Sequence, residues 1–306
     1  MKQLALIGPT ASGKTALSIQ LAQKLNAIIL SLDSLAIYKQ IDIASAKPTP
    51  NERAGIPHYG IDLLPPDTDF DVMTYITLYH QACEAAKTAE KNLIIVGGTS
   101  FYLKILLEGI SDLPTLTAET KARTNLALDS LPQSYKMLKK IDPLYMNKIQ
   151  ATDRYRIEKA LNIYYQTGMP PTVYFEAHPP RPVISEPIPL YQITIDRAVL
   201  RERIALRTQK MLEMGLIDEV AYLEKQYGRS PNCMKSIGIK ETLGFLDGHY
   251  NKEMLIEKII TNTARLAKRQ VTFNRSQFAK TYDGSPETLY RGISNNRQYP
   301  QWALRE

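Results

Sequence analysis

Short apolar runs alternate with amphipathic segments along the first hundred residues. LALI (4–7), AIILSL (27–32) and NLIIVGG (92–98) are each bounded by glycine or polar residues, which is typical of buried strands. Between the first two runs, leucines recur at helical spacing over 15–25. Strands that alternate with helices predict a parallel sheet, whose ligands bind at the carboxyl ends of the strands.

The pattern changes after residue 113. Residues 115–170 contain helical stretches and no convincing strand, and a proline-rich passage follows them. LYQITI (190–195) then predicts a strand that returns to the sheet. We therefore expect a helical insertion over 113–185. The segment after Tyr282 is polar and predicts no element.

A glycine-rich loop follows the first predicted strand. The stretch GPTASGKT matches the pattern G-x-x-x-x-G-K-[S/T], in which backbone N–H groups turn inward around phosphate oxygens. Lys14 would neutralise phosphate charge, and the Thr15 hydroxyl can ligate Mg²⁺. A chance glycine-rich turn is the alternative, but the strand before the loop and the helix after it favour a phosphate site. The loop comprises Gly8, Pro9, Thr10, Ala11, Ser12, Gly13, Lys14 and Thr15.

This loop, together with the strand and helix pattern, predicts the fold class. We expect an α/β protein with a P-loop NTPase-like parallel-sheet core and an inserted helical domain. The core would comprise residues 1–112 and 186–306, and the insertion residues 113–185. Because loops of this type commonly bind ATP, a kinase is the first candidate function.

The position of acidic residues decides what the loop binds. The third strand ends in Gly97-Gly98-Thr99, so no carboxylate stands there to hold a metal shell. Asp33, at the end of the second strand, is the only well-placed acid. It is predicted either as a turn or helix-capping residue or as a general base. Thr99 is predicted as a hydroxyl partner across the site or as a helix cap.

Two arginines in RERIALRTQKML lie four residues apart. Arg203 and Arg207 therefore share one face of a predicted helix. An arginine directed at a diphosphate would stabilise the charge that develops as the diphosphate leaves. The alternative is a solvated helix face on which Glu202 is the partner. The sequence does not decide between the two interpretations.

Basic residues are unevenly distributed along the 306-residue chain, whose formal net charge is +7. Residues 113–185 contain ten Lys and Arg against six Asp and Glu, and residues 251–280 contain seven against two. In the second stretch Leu255 and Ile259 fall on one helical face, with Arg265 opposite. Such a basic face is either solvated or bound to a polyanion.

Cysteine and histidine content argues against disulfide and metal frameworks. Cys83 and Cys233 are distant in sequence and form no C-x-x-C pair, which fits a reducing cytoplasm. The four histidines have no metal-ligand spacing. No apolar run approaches the roughly 18 residues of a membrane helix. We expect a cytoplasmic protein without membrane association.

Five motifs, of which the phosphate loop is the first, point to a known family. GPTASGKT, LSLDSLAIYK, DIASAKPT, VGGTSFYLKILLEG and LAKRQVTF occur in this order, and the chain thereby resembles the tRNA dimethylallyltransferases from about residue 4 to 278. The resemblance implies transfer of a dimethylallyl group from dimethylallyl diphosphate to N6 of the adenosine immediately 3′ of the anticodon. It also implies a P-loop core with an inserted helical domain, a bound Mg²⁺ and a tRNA partner. We expect a monomer.

The resemblance assigns roles to individual residues by matching motif. The phosphate loop and Arg207 would bind the diphosphate, and Thr15 would lie at the Mg²⁺. Asp33 would be the base, assisted by Thr99 and Arg207 as further catalytic residues. The predicted tRNA-binding residues are Asp33, Ser34, Leu35, Ala36, Thr99, Lys121, Arg123, Tyr155, Arg156, Lys159, Lys235 and Lys240.

The chain departs from the family pattern at three places. Ala44-Ser45 stands where the family usually has Gly-Thr, and Thr152-Asp153 where it usually has Asn-Asp. Lys159 replaces an arginine, which keeps the charge but loses bidentate geometry. None of these positions belongs to the predicted chemistry.

Three other functions share part of this pattern. A small-molecule or nucleotide kinase shares the loop and the acid after the second strand, but the GGT strand end and the basic insertion argue against it. A prenyltransferase acting on free adenine nucleotides would not need the basic segments. A nucleotide-switched RNA-binding protein would not need Asp33 for its function.

Overall fold

The computed structural model describes residues 1–295 of the chain. They fall into two compact units: residues 1–104 together with 186–295, and residues 105–185. The predicted insertion, 113–185, lies inside the second unit. None of the helices within residues 1–295 is long and apolar enough to cross a membrane.

The first unit is built on a six-stranded sheet. Every strand pairing is parallel, as the alternating pattern predicts. The strands are β1 (Gln3–Ile7), β2 (Ala27–Ser31), β3 (His58–Tyr59), β4 (Asn92–Gly97), β5 (Leu190–Ile193) and β6 (Tyr282–Gly284), in the spatial order β3-β2-β4-β1-β5-β6. The central strands β1, β2 and β4 are nearly continuous buried runs, because helices cover both faces of such a sheet.

Helices connect the strands of this unit. They are α1 (Lys14–Leu25), α2 (Val72–Thr88), α3 (Ser100–Glu108), α9 (Arg197–Glu213), α10 (Leu216–Tyr227), α11 (Ile239–Leu246), α12 (Lys252–Gln277) and α13 (Pro286–Ser294), and the unit boundary falls within α3. The polar segment after Tyr282 forms β6 and α13, which corrects the expectation of no element there. Leu289 and Ile293 of α13 are buried against β1 and α1 residues, and this packing explains the helix.

The second unit is helical. It contains α4 (Ala118–Leu128), α5 (Leu131–Ile141), α6 (Pro143–Met146), α7 (Arg154–Thr167) and α8 (Pro171–Ala177). Leu128, Leu138 and Leu161 are among the residues of its buried core. The buried Asp142 carboxylate accepts hydrogen bonds from the backbone N–H groups of Tyr145 (2.9 Å) and Thr172 (2.6 Å), and so ties α6 to α8.

Candidate active site

The strand order brings three predicted site segments to one edge of the sheet. β2, β4 and β1 are neighbours, so the residues that follow them, Asp33, Thr99 and the loop from Gly8, lie side by side. They border a cavity of about 1010 Å³ that α9 and α12 also line. The predicted convergence of the strand ends is therefore confirmed.

The phosphate loop has the backbone that its glycine pattern requires. Gly13, the residue before α1, has a φ of 95°, a left-handed conformation that favours glycine. The buried Ser12 hydroxyl has no hydrogen-bond partner within residues 1–295. A buried donor without a partner is costly, so this hydroxyl favours a ligand that can accept a hydrogen bond.

Lys14 follows Gly13 of the loop and is the first residue of α1. Its Nζ donates a hydrogen bond to the Pro9 carbonyl at 2.6 Å. Its side chain is half-buried in the wall of the cavity. This desolvation lowers the pKa of Lys14 to about 7, an effect that the negative charge of Asp33 opposes and Arg207 reinforces. An anion in the cavity would stabilise the charged form.

Arg207 and Arg203 of α9 both reach the phosphate loop. Arg207 Nη1 donates to the Thr10 hydroxyl at 3.2 Å, and Arg203 Nη1 donates to the Ser12 carbonyl at 3.4 Å. Burial lowers the pKa of Arg207, while Asp33 opposes the shift. Both arginines line the cavity, but Arg207 is half-buried whereas Arg203 is exposed, so the solvated-face alternative is wrong for Arg207 only.

Asp33 is a turn residue that also lines the cavity. Its Oδ1 accepts the backbone N–H groups of Leu35 at 2.8 Å and Ala36 at 3.2 Å, which makes it a turn residue. It also lines the cavity, close enough to affect the pKa of Lys14 and Arg207. The turn fixes the carboxylate in front of two cationic groups.

Thr99 is held at the cavity by the tight end of β4. Its N–H donates to the Leu32 carbonyl at 3.0 Å, and it directly precedes α3. A Cβ on Gly97 would lie 2.6 Å from Leu32 Cβ and 2.7 Å from the Leu32 carbonyl oxygen. Only glycine allows the two strand ends to approach this closely. Thr99 lines the cavity and also stands at the position that precedes α3, so both alternatives from the sequence remain predictions.

Gln270 of α12 is a site residue to which sequence reasoning assigned no role. Its Oε1 accepts the N–H of Thr10 at 2.8 Å, and its Nε2 donates to the Gly98 carbonyl at 3.0 Å. It thereby joins the phosphate loop to the end of β4. The sequence feature that points to Gln270 is its place in the motif LAKRQVTF, from which only the basic residues were interpreted.

A second missed group lies in the segment after β2. Ser45 and Lys47 line the cavity, and the Ser45 carbonyl lies 3.5 Å from Arg207 Nη2. The buried Lys47 ammonium donates to the Tyr38 carbonyl at 2.9 Å and pairs with Asp42 at 2.6 Å. In the sequence, Ala44-Ser45 stands out only because it differs from the Gly-Thr that is usual in the family, and this difference does not predict a place in the site.

The remaining predicted residues of the first unit differ in position. Ser34, Leu35 and Ala36 line the cavity next to Asp33, and Ala36 is buried. Lys235 is exposed and also lines the cavity. Lys240 is exposed at the start of α11 and is not among the lining residues.

In the helical unit, the predicted RNA-binding residues lie on two packed helices, α4 and α7. The Arg123 guanidinium stacks over the Tyr165 ring at 4.0 Å, and Lys159 lies 5.3 Å from the ring of exposed Tyr155. The other two, exposed Lys121 and Arg156, complete the set, and Arg156 pairs with Asp153 at 3.0 Å. Cationic and aromatic groups thus alternate on this surface, a composition suited to nucleic acid.

The described part of the chain offers few protein ligands for a metal ion. Residues 1–295 contain no cluster of three or more His, Cys, Asp or Glu side chains that could hold a metal ion. Thr15, in the first turn of α1, lines the cavity beside Lys14. A hydroxyl with phosphate oxygens and water is a ligand set that Mg²⁺ accepts. The residues therefore fit a metal brought in with a phosphate ligand, not a protein-only metal site.

Several known proteins resemble this chain. A tRNA dimethylallyltransferase of Sulfurovum sp. (strain NBC37-1) is 61% identical over 289 residues, covering 94% of this chain and 96% of the relative. A protein of the same name from Helicobacter pylori (strain ATCC 700392 / 26695) is 44% identical, covering 95% and 93%.

Solved structures show the same likeness. The tRNA isopentenylpyrophosphate transferase of Bacillus halodurans superposes with a TM-score of 0.69 at 30% identity, covering 96% of this chain and 94% of that one. A eukaryotic dimethylallyltransferase acting on tRNA gives a TM-score of 0.82 at 27% identity, covering 100% and 81%. The family model described as IPP transferase matches residues 36–277. With this match and these relatives, the chain belongs to the IPP transferase family.

Proposed function

We propose that this protein transfers a dimethylallyl group from dimethylallyl diphosphate to N6 of the adenosine immediately 3′ of the anticodon in tRNA. The observation that carries the proposal is the pairing, in one cavity, of a cationic phosphate loop with the Asp33 carboxylate. Lys14 and Arg207 face the anion site, and Asp33 lies beside them. The names of its relatives and family support the same reaction.

The cationic groups stabilise the leaving diphosphate. Adenine N6 is a weak nucleophile because its lone pair is delocalised into the ring, so the bond between the allylic carbon and the diphosphate oxygen must loosen first. Negative charge then accumulates on the diphosphate. Lys14, Arg207 and the loop amides are fixed around that charge before it develops, which lowers the barrier without reorganisation.

Asp33 takes the proton from N6 as the new C–N bond forms. One carboxylate oxygen is occupied by the turn that holds Leu35 and Ala36, and this fixes the side chain in place. The electron pair of the broken N–H bond returns to the adenine nitrogen, and the diphosphate leaves with the electrons of the C–O bond. The products are N6-isopentenyladenosine and diphosphate.

Mg²⁺ is the cofactor we propose. Thr15 would hold it together with phosphate oxygens of the donor, because residues 1–295 contain no cluster of three or more His, Cys, Asp or Glu side chains that could hold the ion alone. The ion would supply further positive charge for the leaving diphosphate. Lys14 and Arg207 would bind the diphosphate whether or not the ion is present.

The target adenosine must leave its base stack to reach the interior of the cavity. Ser34 to Ala36 and Thr99 line the cavity next to Asp33 and are proposed to contact the extruded nucleotide. The basic and aromatic surface of α4 and α7 is proposed to bind the anticodon stem-loop. We further propose that the protein works as a monomer in the cytoplasm.

Incubation with labelled donors separates this reaction from the kinase alternative. The purified protein, unmodified tRNA and labelled dimethylallyl diphosphate should give labelled tRNA, whereas γ-labelled ATP should label neither tRNA nor a small molecule. Phosphoryl transfer from ATP without transfer from the allylic donor would refute the proposal. Replacing tRNA by AMP tests the free-nucleotide alternative, and we expect no product with AMP.

A further inference from the structure

A carboxylate outside the cavity holds one of its walls. Glu219, in the first turn of α10, does not line the cavity. Its Oε2 accepts the backbone N–H groups of Asp42 at 2.8 Å and Ile43 at 2.7 Å, and its Oε1 accepts that of Ala44 at 2.8 Å. One side chain thus binds three consecutive backbone donors that are 175 to 177 residues away in sequence.

This arrangement requires a carboxylate. Three N–H groups that point to one place need at least two acceptor oxygens, and their parallel dipoles favour a negative charge. A glutamine offers one acceptor oxygen, and its amide NH₂ would face a third donor. Asp218, exposed in the same helical turn, supplies a second negative charge near the α10 N-terminus, so helix stability alone does not require Glu219.

The segment that Glu219 holds carries part of the anion site. Ala44 and Ser45 are buried, and residues 44–48 line the cavity. The Ser45 carbonyl lies 3.5 Å from Arg207 Nη2 and the Ser45 hydroxyl donates to the Ile41 carbonyl at 2.5 Å. Displacement of this segment would therefore remove one of the two oxygen atoms that orient Arg207, the other being the Thr10 hydroxyl.

We propose that Glu219 is a positioning residue that fixes residues 42–48 against Arg207 and thereby sets the affinity of the cavity for the diphosphate of the prenyl donor. This inference rests on the proposed function for the identity of the donor. Glu219 contacts no ligand in this scheme and acts only through the backbone of the segment and the guanidinium of Arg207.

Three variants of the full chain test the proposal: Glu219→Ala, Glu219→Gln and Asp218→Asn as the matched control. Calorimetry measures the Kd of inorganic diphosphate for each variant. Steady-state kinetics at saturating tRNA give KM and kcat for dimethylallyl diphosphate, and circular dichroism gives the melting temperature. We expect Glu219→Ala to raise both the Kd and the KM about tenfold, because the segment that orients Arg207 loses three hydrogen bonds to a charged acceptor. Glu219→Gln should raise both constants by more than about twofold but less than Glu219→Ala does, and Asp218→Asn should leave both within about twofold of the values of the natural protein.

A folded Glu219→Ala protein that binds diphosphate within twofold of the natural chain would overturn the proposal. An equal loss in Asp218→Asn would overturn it too, because the effect would then be one of helix charge. If Glu219→Ala does not fold, Glu219→Gln decides by the same criterion. Diphosphate binding does not depend on transfer activity, so absence of transfer in the natural chain would contradict the proposed function and leave this test intact.

Discussion

Arg207 donates a hydrogen bond to the hydroxyl of Thr10 at 3.2 Å, across 197 residues of sequence. This contact joins α9 to the phosphate loop. The same guanidinium lies 3.5 Å from the Ser45 carbonyl, so its two terminal nitrogens are oriented by two different segments. An anion bound by Lys14 in the loop would therefore meet an arginine that is already in place.

Replacement of Arg207 by lysine should weaken diphosphate binding and slow transfer. A lysine keeps the charge but cannot reach Thr10 and Ser45 together, because it lacks the planar fork of the guanidinium. We expect kcat/KM for dimethylallyl diphosphate to fall about 10- to 100-fold, equivalent to one or two charge-assisted hydrogen bonds. Steady-state kinetics measure this.

Arg201→Lys is the control for that variant, because Arg201 is exposed on the same helix. It should keep kcat/KM within about twofold, as expected for a surface position. If Arg207→Lys also stays within this range, Arg207 does not contribute to the binding of the diphosphate.

The lowered pKa of Lys14, about 7, predicts that diphosphate binding takes up a proton. In the free protein Lys14 is increasingly neutral above pH 7. A bound anion raises its pKa, so the complex holds more protons than the free protein at pH 8. Affinity should consequently fall as pH rises above 7, by at most about tenfold per pH unit for one proton.

Calorimetry in buffers of different ionisation enthalpy measures this proton uptake. The control is Lys14→Arg, which carries a charge that does not titrate in this range. Titration of the diphosphate itself contributes equally to both proteins. The natural chain should take up more protons at pH 8 than the arginine variant, and equal uptake would show that Lys14 is already charged in the free protein.

Gly97→Ala should destabilise the sheet domain. The new Cβ would lie 2.6 Å from Leu32 Cβ and 2.7 Å from a backbone oxygen, so the backbone must shift. We expect a loss of about 1–3 kcal/mol in the free energy of unfolding, the usual cost of overpacking. Gly292→Ala is the comparison, since its Cβ would meet nothing within 4 Å on α13. Urea unfolding that gives equal stability for both variants would contradict the close approach at Gly97.

Arg123→Ala and Arg156→Ala should weaken tRNA binding without affecting diphosphate binding. Both side chains are exposed on the helical unit. If each contacts one phosphate, each variant should reduce the salt dependence of tRNA affinity, the slope of log K against log salt, by about one. Filter binding at several salt concentrations measures this slope. Lys24→Ala, exposed on α1, should leave it unchanged. Slopes identical to that of the natural chain would remove this surface from the tRNA site.

The sequence predicts the strands that are apolar throughout, and it misses the shorter strands that are not. LALI, AIILSL and NLIIVGG are buried on both faces, so their composition alone identifies β1, β2 and β4. β3 has two residues and β6 has three, and neither is apolar throughout. They are strands because they pair with β2 and β5, a tertiary cause that no local pattern contains.

The sequence likewise predicts some residues of the candidate site and not others. The phosphate loop, Asp33 and Thr99 follow strands, and the rule for parallel sheets places them together. Gln270 and Glu219 act through hydrogen bonds to backbone groups more than 170 residues away. Their side chains fit ordinary amphipathic helices, so only the folded chain distinguishes them from surface residues.

Asp33→Asn should abolish transfer while leaving binding intact. Asparagine keeps an oxygen for the N–H groups of Leu35 and Ala36 but cannot take the N6 proton at neutral pH. We expect kcat to fall about 10²- to 10⁴-fold, the usual contribution of a general base. The Kd values for tRNA and diphosphate should change by less than about threefold, within the effect of an isosteric change. A normal kcat would exclude Asp33 as the base.

The most direct test of the proposed reaction is mass analysis of the nucleosides from an unmodified tRNA transcript after incubation with the purified protein, Mg²⁺ and dimethylallyl diphosphate. We predict N6-isopentenyladenosine at the position immediately 3′ of the anticodon, formed in equal amount with free diphosphate. A transcript that retains an unmodified adenosine there, under conditions in which the protein binds both substrates, would contradict the proposed function.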